Sequence, residues 1–347
     1  MIEPRILKGF RDFHPEQAIA RQYVISKIRN TFESFGFDPI ETPAIEYLET
    51  FQGNIGEDEK LFYKFEDYGG REVALRYDQT VPTCRFVAQY QGTLTMPWKR
   101  YQIQNVWRAD KPQKGRYREF TQCDLDIFGL ETAAADAEAI ATCLAFYDSM
   151  GFKDYTVKIS DRALYAGIDY PVIAAIDKLD KIGVQGVVEE IVSKGYAKKE
   201  AERIINKIFN LKPNDTIKQI FSYLHAMGFP KETYVFDNTM ARSFSYSTGP
   251  IWEVNIAKYT VGSVLGGERY DKLVGRFSKK DIPGTGYGLG FDRTVEAAVQ
   301  FGLVPAVKTV AQVLMTIFEP SMLADSLALA QQLRKAGLNV DTYTDPE

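Results

Sequence analysis

The sequence predicts an α+β protein, and three stretches carry that expectation. Residues 101–128 read as two strands joined by a basic loop, residues 165–233 change to helical patterning, and residues 309–347 read as strand, helix and strand. The 347 residues suffice for two or three domains with a full core, and 45% hydrophobic with 25% charged residues is an ordinary globular mix.

Composition excludes several function classes. Forty-two basic against forty-six acidic residues give a net charge of −4, so any nucleic acid must be met by a local basic surface and not by the overall field. There is no run of eighteen apolar residues, and the opening Met1-Ile2-Glu3-Pro4-Arg5 lacks a signal-peptide plan, so the expected location is the cytoplasm, with no membrane partner. Cys84, Cys123 and Cys143 form no Cys-x-x-Cys pair, and the histidines are His14 and His225 alone. That scarcity argues against a protein metal site, a disulfide framework and a histidine-activated nucleophile. Chemistry must then rest on arginines and carboxylates.

The elements follow in order. After Pro15, Val24, Ile28, Phe32 and Phe35 recur at helical spacing, and Phe35-Gly36-Phe37 supplies a glycine C-cap. Asp38 to Pro43 is a short extended piece broken by prolines. Val73 to Tyr77 reads as a strand delivering Asp78, Gln79 and Thr80 to a helix with Pro82 in its first turn and Thr80 at the N-cap. In the hairpin, Tyr101 to Arg108 and Glu119 to Phe128 have strand composition, while Lys111-Pro112-Gln113-Lys114-Gly115 does not. Cys123, Leu125 and Ile127 share one strand face, so Phe120, Gln122, Asp124 and Asp126 share the other. Together with Arg108, Arg116 and Arg118, that face offers cations for a phosphate chain beside carboxylates for an amine; a solvated surface hairpin is the plain alternative.

Further on, Ala201, Ile205 and Ile208 lie on one helix face with Lys198, Lys199, Glu202, Arg203 and Lys207 outside, a solvated face or an approach to RNA. Gly266 and Gly267 are expected in tight turns. The glycines of Gly284 to Gly290 alternate and do not meet the dinucleotide fingerprint. The end reads as a strand from Val310 to Phe318, a helix from Pro320 to Ala336 and a strand from Asn339 to Thr344, the beginning of an α/β unit.

The order Arg108-Ala109-Asp110-Lys111-Pro112-Gln113-Lys114-Gly115-Arg116-Tyr117-Arg118-Glu119-Phe120-Thr121-Gln122 resembles motif 2 of the class II aminoacyl-tRNA synthetases in its histidyl form. The first helix with Asp38 to Pro43 resembles motif 1, and Leu75 to Pro82 resembles the segment that binds the substrate amino group. Gly284 to Arg293 resembles motif 3, and Gly266-Gly267-Glu268-Arg269-Tyr270-Asp271 resembles the histidyl Gly-Gly-Gly-Arg-Tyr-Asp segment. Residues 242–249 depart from the family's Arg-Gly-Leu-Asp-Tyr-Tyr-Thr-Gly. Arg242 is retained, while Ser247 replaces the second tyrosine.

The resemblance covers residues 1 to about 303 and implies a class II synthetase-like antiparallel sheet of six or seven strands flanked by helices. Its implied domains are catalytic core at 1–164 and 234–303, an inserted helical subdomain at 165–233, and an incomplete anticodon-binding α/β domain at 304–347. The implied assembly is a homodimer through motif 1.

The implied reaction is activation of histidine with ATP and Mg²⁺ to histidyl-adenylate and pyrophosphate, followed by transfer to the 3′ end of tRNA(His). Attack on an α-phosphate builds charge that fixed guanidinium groups stabilise, and no side-chain nucleophile is needed. By resemblance Arg108 and Arg242 are catalytic at the α-phosphate and the amino-acid carboxylate. Arg116 and Arg118 serve the distal phosphates or the tRNA end, Asp110 and Phe120 the adenine, and Arg293 the adenine and γ-phosphate. Asp78, Thr80 and Gln122 take the α-ammonium, Gln79 is a further histidine-binding residue, and Asp126, Tyr246 and Ser247 lie at the imidazole. The rivals are a non-catalytic paralogue, such as the regulatory subunit of ATP phosphoribosyltransferase, and a sensor domain that binds tRNA without chemistry. The altered 242–249 signature and the short α/β unit favour the paralogue, and the five arginines oppose it.

Overall fold

The computed structural model describes residues 2–53, 60–113, 115–240 and 246–344. Its strands are β1 (Asp38–Pro39), β2 (Ile45–Tyr47), β3 (Lys64–Glu66), β4 (Glu72–Leu75), β5 (Trp98–Trp107), β6 (Glu119–Phe128), β7 (Tyr155–Asp161), β8 (Tyr234–Phe236), β9 (Pro250–Ile256), β10 (Leu265–Arg269), β11 (Gly284–Gly290), β12 (Val313–Met315) and β13 (Val340–Thr342). The helices are α1 (Pro15–Ser34), α2 (Thr80–Tyr90), α3 (Ala133–Met150), α4 (Tyr170–Ile176), α5 (Leu179–Ser193), α6 (Lys198–Phe209), α7 (Asp215–Ala226), α8 (Phe291–Gln300) and α9 (Leu323–Lys335).

Contacts divide the chain into two compact units, residues 1–11 with 27–303 and residues 12–26 with 304–347. The first is built on a sheet in the order β1-β5-β6-β11-β10-β9-β7-β8. Eight strands replace the expected six or seven, and the sheet is mixed, because β1 pairs with β5 and β7 with β8 in parallel at its two edges. Each parallel pair needs a crossover, and the chain supplies both: β2 to β4 with α2 for the first, and α4 to α7 for the second. The strand expected at 73–77 is the shorter β4, central in a separate sheet of order β2-β4-β3.

Trp252, Leu125, Ile127, Cys123 and Leu289 are wholly buried from one side of the main sheet. Helix α3 packs there on β6, β7 and β11, and its Thr142 hydroxyl meets that of Tyr287 at 2.9 Å. Ala135, Ala137, Ala139 and Ala141 of α3 are buried, and their small side chains let the helix approach the strands closely. Helix α1 ends on the expected glycine, with Gly36 at φ +76° and the Phe37 amide bonded back to the Phe32 carbonyl.

Helices α4 to α6 enclose their own cluster of Tyr165, Val172, Ile176, Val187, Ile191, Ala201, Ile205 and Ile208. Helix α7 packs instead on α3 and β7. In the second unit β12 and β13 pair in parallel around α9, the expected strand–helix–strand with each strand cut to three residues. Among the described residues no helix is long and apolar enough to cross a membrane.

Candidate active site

Alternation and register together build a polar floor. Residues opposite each other in a ladder share a face, and the register sets Arg100 against Asp126, Gln102 against Asp124 and Gln104 against Gln122. Across β6 the same face meets Gly286, Gly288 and Gly290, and beyond them Gly266, Glu268 and Glu253. The glycines keep this floor low. At Gly286 a Cβ would overlap the Asp126 carboxylate and the Leu125 carbonyl, the latter being backbone that cannot swing away. Gly286→Ala is therefore expected to destabilise by about 2–3 kcal/mol; a thermal melt within a degree of the parent would contradict this.

The space left over the floor is a cavity of about 340 Å³. Arg108, Asp110, Arg116, Phe120, Gln122 and Arg293 line it, six of the predicted site residues brought together from the hairpin and the start of α8. Arg108 donates from Nε to the Tyr77 carbonyl at 3.1 Å, and its guanidinium lies 4.2 Å from the Tyr77 ring centre and 5.2 Å from that of Phe120. Two rings and one hydrogen bond thus preset its direction. Arg293 donates to the carbonyls of Ser263 (3.0 Å) and Gly115 (3.3 Å), tying the hairpin loop to α8. Arg116 is half-exposed and 3.5 Å from Asp110.

Arg118 corrects an expectation. It donates to the carbonyls of Asp110 and Lys8 at 3.0 and 3.3 Å and is absent from the cavity wall, so it braces the loop against the N-terminal segment. Arg11, which no motif marks, pairs with Asp292 at 2.6 Å, and its guanidinium lies 3.3 Å from the centre of the Tyr117 ring. The Tyr117 hydroxyl donates to Glu296 at 2.9 Å.

The acidic end lies past Gln122 along β6. Asp78 accepts from the Val81 amide at 3.1 Å and so caps α2, a role the sequence assigned to Thr80, which is instead the first helical residue. Burial pushes the Asp78 carboxyl up to about 6, against the pull of Arg108 and Arg100. Gln79 donates to the carbonyls of Gln104 and Gln122 at 2.8 and 3.2 Å. Asp126 is nearly sealed, held by the Arg100 guanidinium and by the Tyr270 hydroxyl, which donates to it. Ser247 donates to Glu268, and the Tyr246 ring stands edge-on to Tyr270 at 6.4 Å. Arg242, with Ser243 and Ser245, lies outside the described residues.

Gly266 and Gly267 stand within β10, not in tight turns. A Cβ at 267 would enter the Trp252 indole, so the glycine is required by a neighbouring ring. The rest of the hexapeptide wires the floor: Glu268 takes the Ser247 hydroxyl, Arg269 pairs with Asp136 of α3 at 3.0 Å, Tyr270 holds Asp126, and Asp271 accepts from Thr248 at 2.9 Å. Sequence reasoning missed Arg100, Glu253 and Glu268. For Arg100 a signal existed, since Arg100, Gln102 and Gln104 repeat at the strand period; Glu253 and Glu268 join the floor only through register.

The chain and its fold are similar to those of known proteins. The chain matches the histidyl-tRNA synthetase family over residues 9–178 and 190–294. It is 42% identical to the histidine–tRNA ligase of Aeropyrum pernix, over 97% of this chain and 84% of that protein. The crystal structure of histidyl-tRNA synthetase from Nostoc sp. PCC 7120 superposes with a TM-score of 0.86 at 27% identity, over 100% of this chain and 87% of that one. A Bacillus halodurans protein described as an ATP phosphoribosyltransferase regulatory subunit/histidyl-tRNA synthetase shares the fold, with a TM-score of 0.78 at 24% identity over 98% and 93% of the two chains.

Proposed function

The chain belongs to the histidyl-tRNA synthetase family, and we propose that it is an aminoacyl-tRNA synthetase that activates histidine with ATP and passes it to the 3′ end of tRNA(His). One observation carries the assignment: three guanidinium groups, Arg108, Arg116 and Arg293, wall a single cavity whose floor runs into a buried carboxylate cluster. Cations at one end suit a triphosphate, and carboxylates at the other suit an amino acid's ammonium.

In this arrangement Phe120 stacks on the adenine with Asp110 beside it, and Arg293 and Arg116 hold the distal phosphates. Arg108, already oriented by Tyr77 and Phe120, spans the α-phosphate and the attacking carboxylate, where fixed donors stabilise the charge of the transition state without reorganising. Arg242 adds a further cation. Arg118 positions the loop. Asp78, Gln79, Thr80 and Gln122 receive the ammonium, while Asp126 keeps lone pairs for the imidazole and Ser247 with Tyr246 closes the far side.

Mg²⁺ fits as an ion carried in by the nucleotide. Glu253 on the wall would supply a carboxylate to an ion coordinated mainly by phosphates and water. When bound it would neutralise the leaving pyrophosphate. The working form is a cytoplasmic homodimer joined through α1 and β1, and residues 304–344 begin an anticodon-reading unit.

ATP–pyrophosphate exchange tested with each amino acid in turn checks the assignment. Exchange is expected with histidine alone, followed by charging of a tRNA(His) transcript. Exchange with a different amino acid would overturn the specificity, and histidine binding without any exchange would favour the regulatory paralogue.

A further inference from the structure

Asp124 sits in the middle of the floor, opposite Gln102 on one side and Gly288 on the other. It is 1% exposed, and neither of its carboxylate oxygens has a hydrogen-bond donor among the described residues. Oε1 of Gln122 and Oε1 of Gln79 are likewise buried without a donor. Asp124 and Gln122 meet at Gly288. A Cβ at position 288 would lie 3.1 Å from both Asp124 Oδ1 and Gln122 Nε2, so carboxylate and amide flank the space that the glycine leaves open, and Gln79 is hydrogen-bonded to the Gln122 carbonyl. Gln122 and Gly288 also line the cavity.

An unpaired buried carboxylate is costly, and one retained at a cavity floor calls for a ligand that satisfies it. The neighbouring acids each have at least one donor, Asp126 from Arg100 and Tyr270 and Asp78 from the Val81 amide, so Asp78 shares the ammonium with Asp124 and is not the carboxylate left bare. A buried carboxylate without a donor is satisfied by a primary ammonium, which brings three N–H donors and the counter-charge together.

We propose that Asp124 is a specificity-determining residue that receives the substrate's α-ammonium and makes activation depend on a free α-amine. This rests on the synthetase assignment above and adds to it a residue that none of the motifs marked. With its pairing to the ammonium, the carboxylate gains the counter-charge that burial beside Asp126 and Asp78 denies it; without a ligand these push its proton affinity upward.

The test is a ligand-by-mutation cycle. Parent, Asp124→Asn and Asp124→Ser are compared by calorimetry with histidine and with imidazolepropionate, which lacks only the amine, and by pyrophosphate exchange. Loss of a charge-assisted bond at a buried site should weaken histidine binding by roughly 30- to 100-fold in the asparagine variant, with imidazolepropionate changed less than about threefold. KM for histidine should rise more than kcat falls. Imidazolepropionate binding and thermal melting report folding, and the serine variant decides should the asparagine variant not fold. Equal weakening of both ligands, or histidine binding as tight as in the parent, overturns the role of Asp124 and leaves the synthetase assignment standing. A parent protein that shows no exchange with histidine removes that assignment itself.

Discussion

Replacing Arg108 by alanine is expected to lower histidine-dependent ATP–pyrophosphate exchange by roughly 10²–10³-fold, the usual loss when one prearranged donor to a developing charge is removed. The expectation follows from how Arg108 is held. Its Nε–H is committed to the Tyr77 carbonyl and its plane lies between two rings, so the remaining N–H groups have a fixed direction before any substrate arrives. Such a group costs no reorganisation when charge appears, and its removal should fall mainly on kcat, with a smaller rise in KM for ATP. Arg108→Lys should recover little, because an ammonium neither stacks between rings nor offers two parallel donors. A loss in KM alone, with kcat preserved, would show that Arg108 binds substrate and transition state equally and has no part in the chemical step.

Asp78→Asn should stabilise the fold while strongly lowering histidine activation. The carboxyl moves from an ordinary 3.8 to about 6 on folding, chiefly through burial, which corresponds to a penalty of up to roughly 3 kcal/mol once it is ionised. The sign follows directly. Below pH 3.8 the side chain is protonated folded and unfolded, and folding pays nothing. As pH rises through about 6 the unfolded chain is already ionised, and the folded chain must bury the charge, so stability is lost across that interval. Asparagine carries no charge and can still accept from the Val81 amide. Its advantage in denaturant or thermal melts should therefore be full above about pH 6 and vanish towards pH 4. Exchange should drop by two orders of magnitude or so, because a neutral amide does not attract an ammonium as a carboxylate does. A variant less stable than the parent at pH 8 would mean that Arg108 and Arg100 outweigh burial at this carboxyl.

The hairpin was legible because its signals are local. Alternation placed Cys123, Leu125 and Ile127 in the core and their neighbours on the polar face, and the loop declared itself by Pro112 and Gly115. The helix end at Gly36, the buried row of α6 and the closing strand–helix–strand were legible for the same reason. Thr80 was misjudged, since it is the first helical residue after Gln79, and only the path of the chain sets the Asp78 carboxylate, not the Thr80 hydroxyl, on an amide of the first turn. Gly266 and Gly267 were given to turns because glycine marks both turns and close packing. For Gly267, Trp252, fifteen positions earlier, decides between the two.

Arg118 shows the limit most clearly. In the chain it stands two residues from Arg116 with the same chemistry. In the fold its guanidinium is spent on carbonyls of the loop and of Lys8.

By itself, then, the sequence determined which segments become strands and helices, which face of β6 is polar, and which family the motifs belong to. Each of those depends on residues within a few positions of one another. Only the tertiary structure decided which cations share a cavity, which of the acids Asp78, Asp126 and Glu268 accept a donor, and that Asp124 has no hydrogen-bond donor among the described residues. For Asp124, Asp126 and Glu268 the outcome hangs on strand register across β5, β6, β11 and β10, where a slip of one residue would turn these side chains to the opposite face.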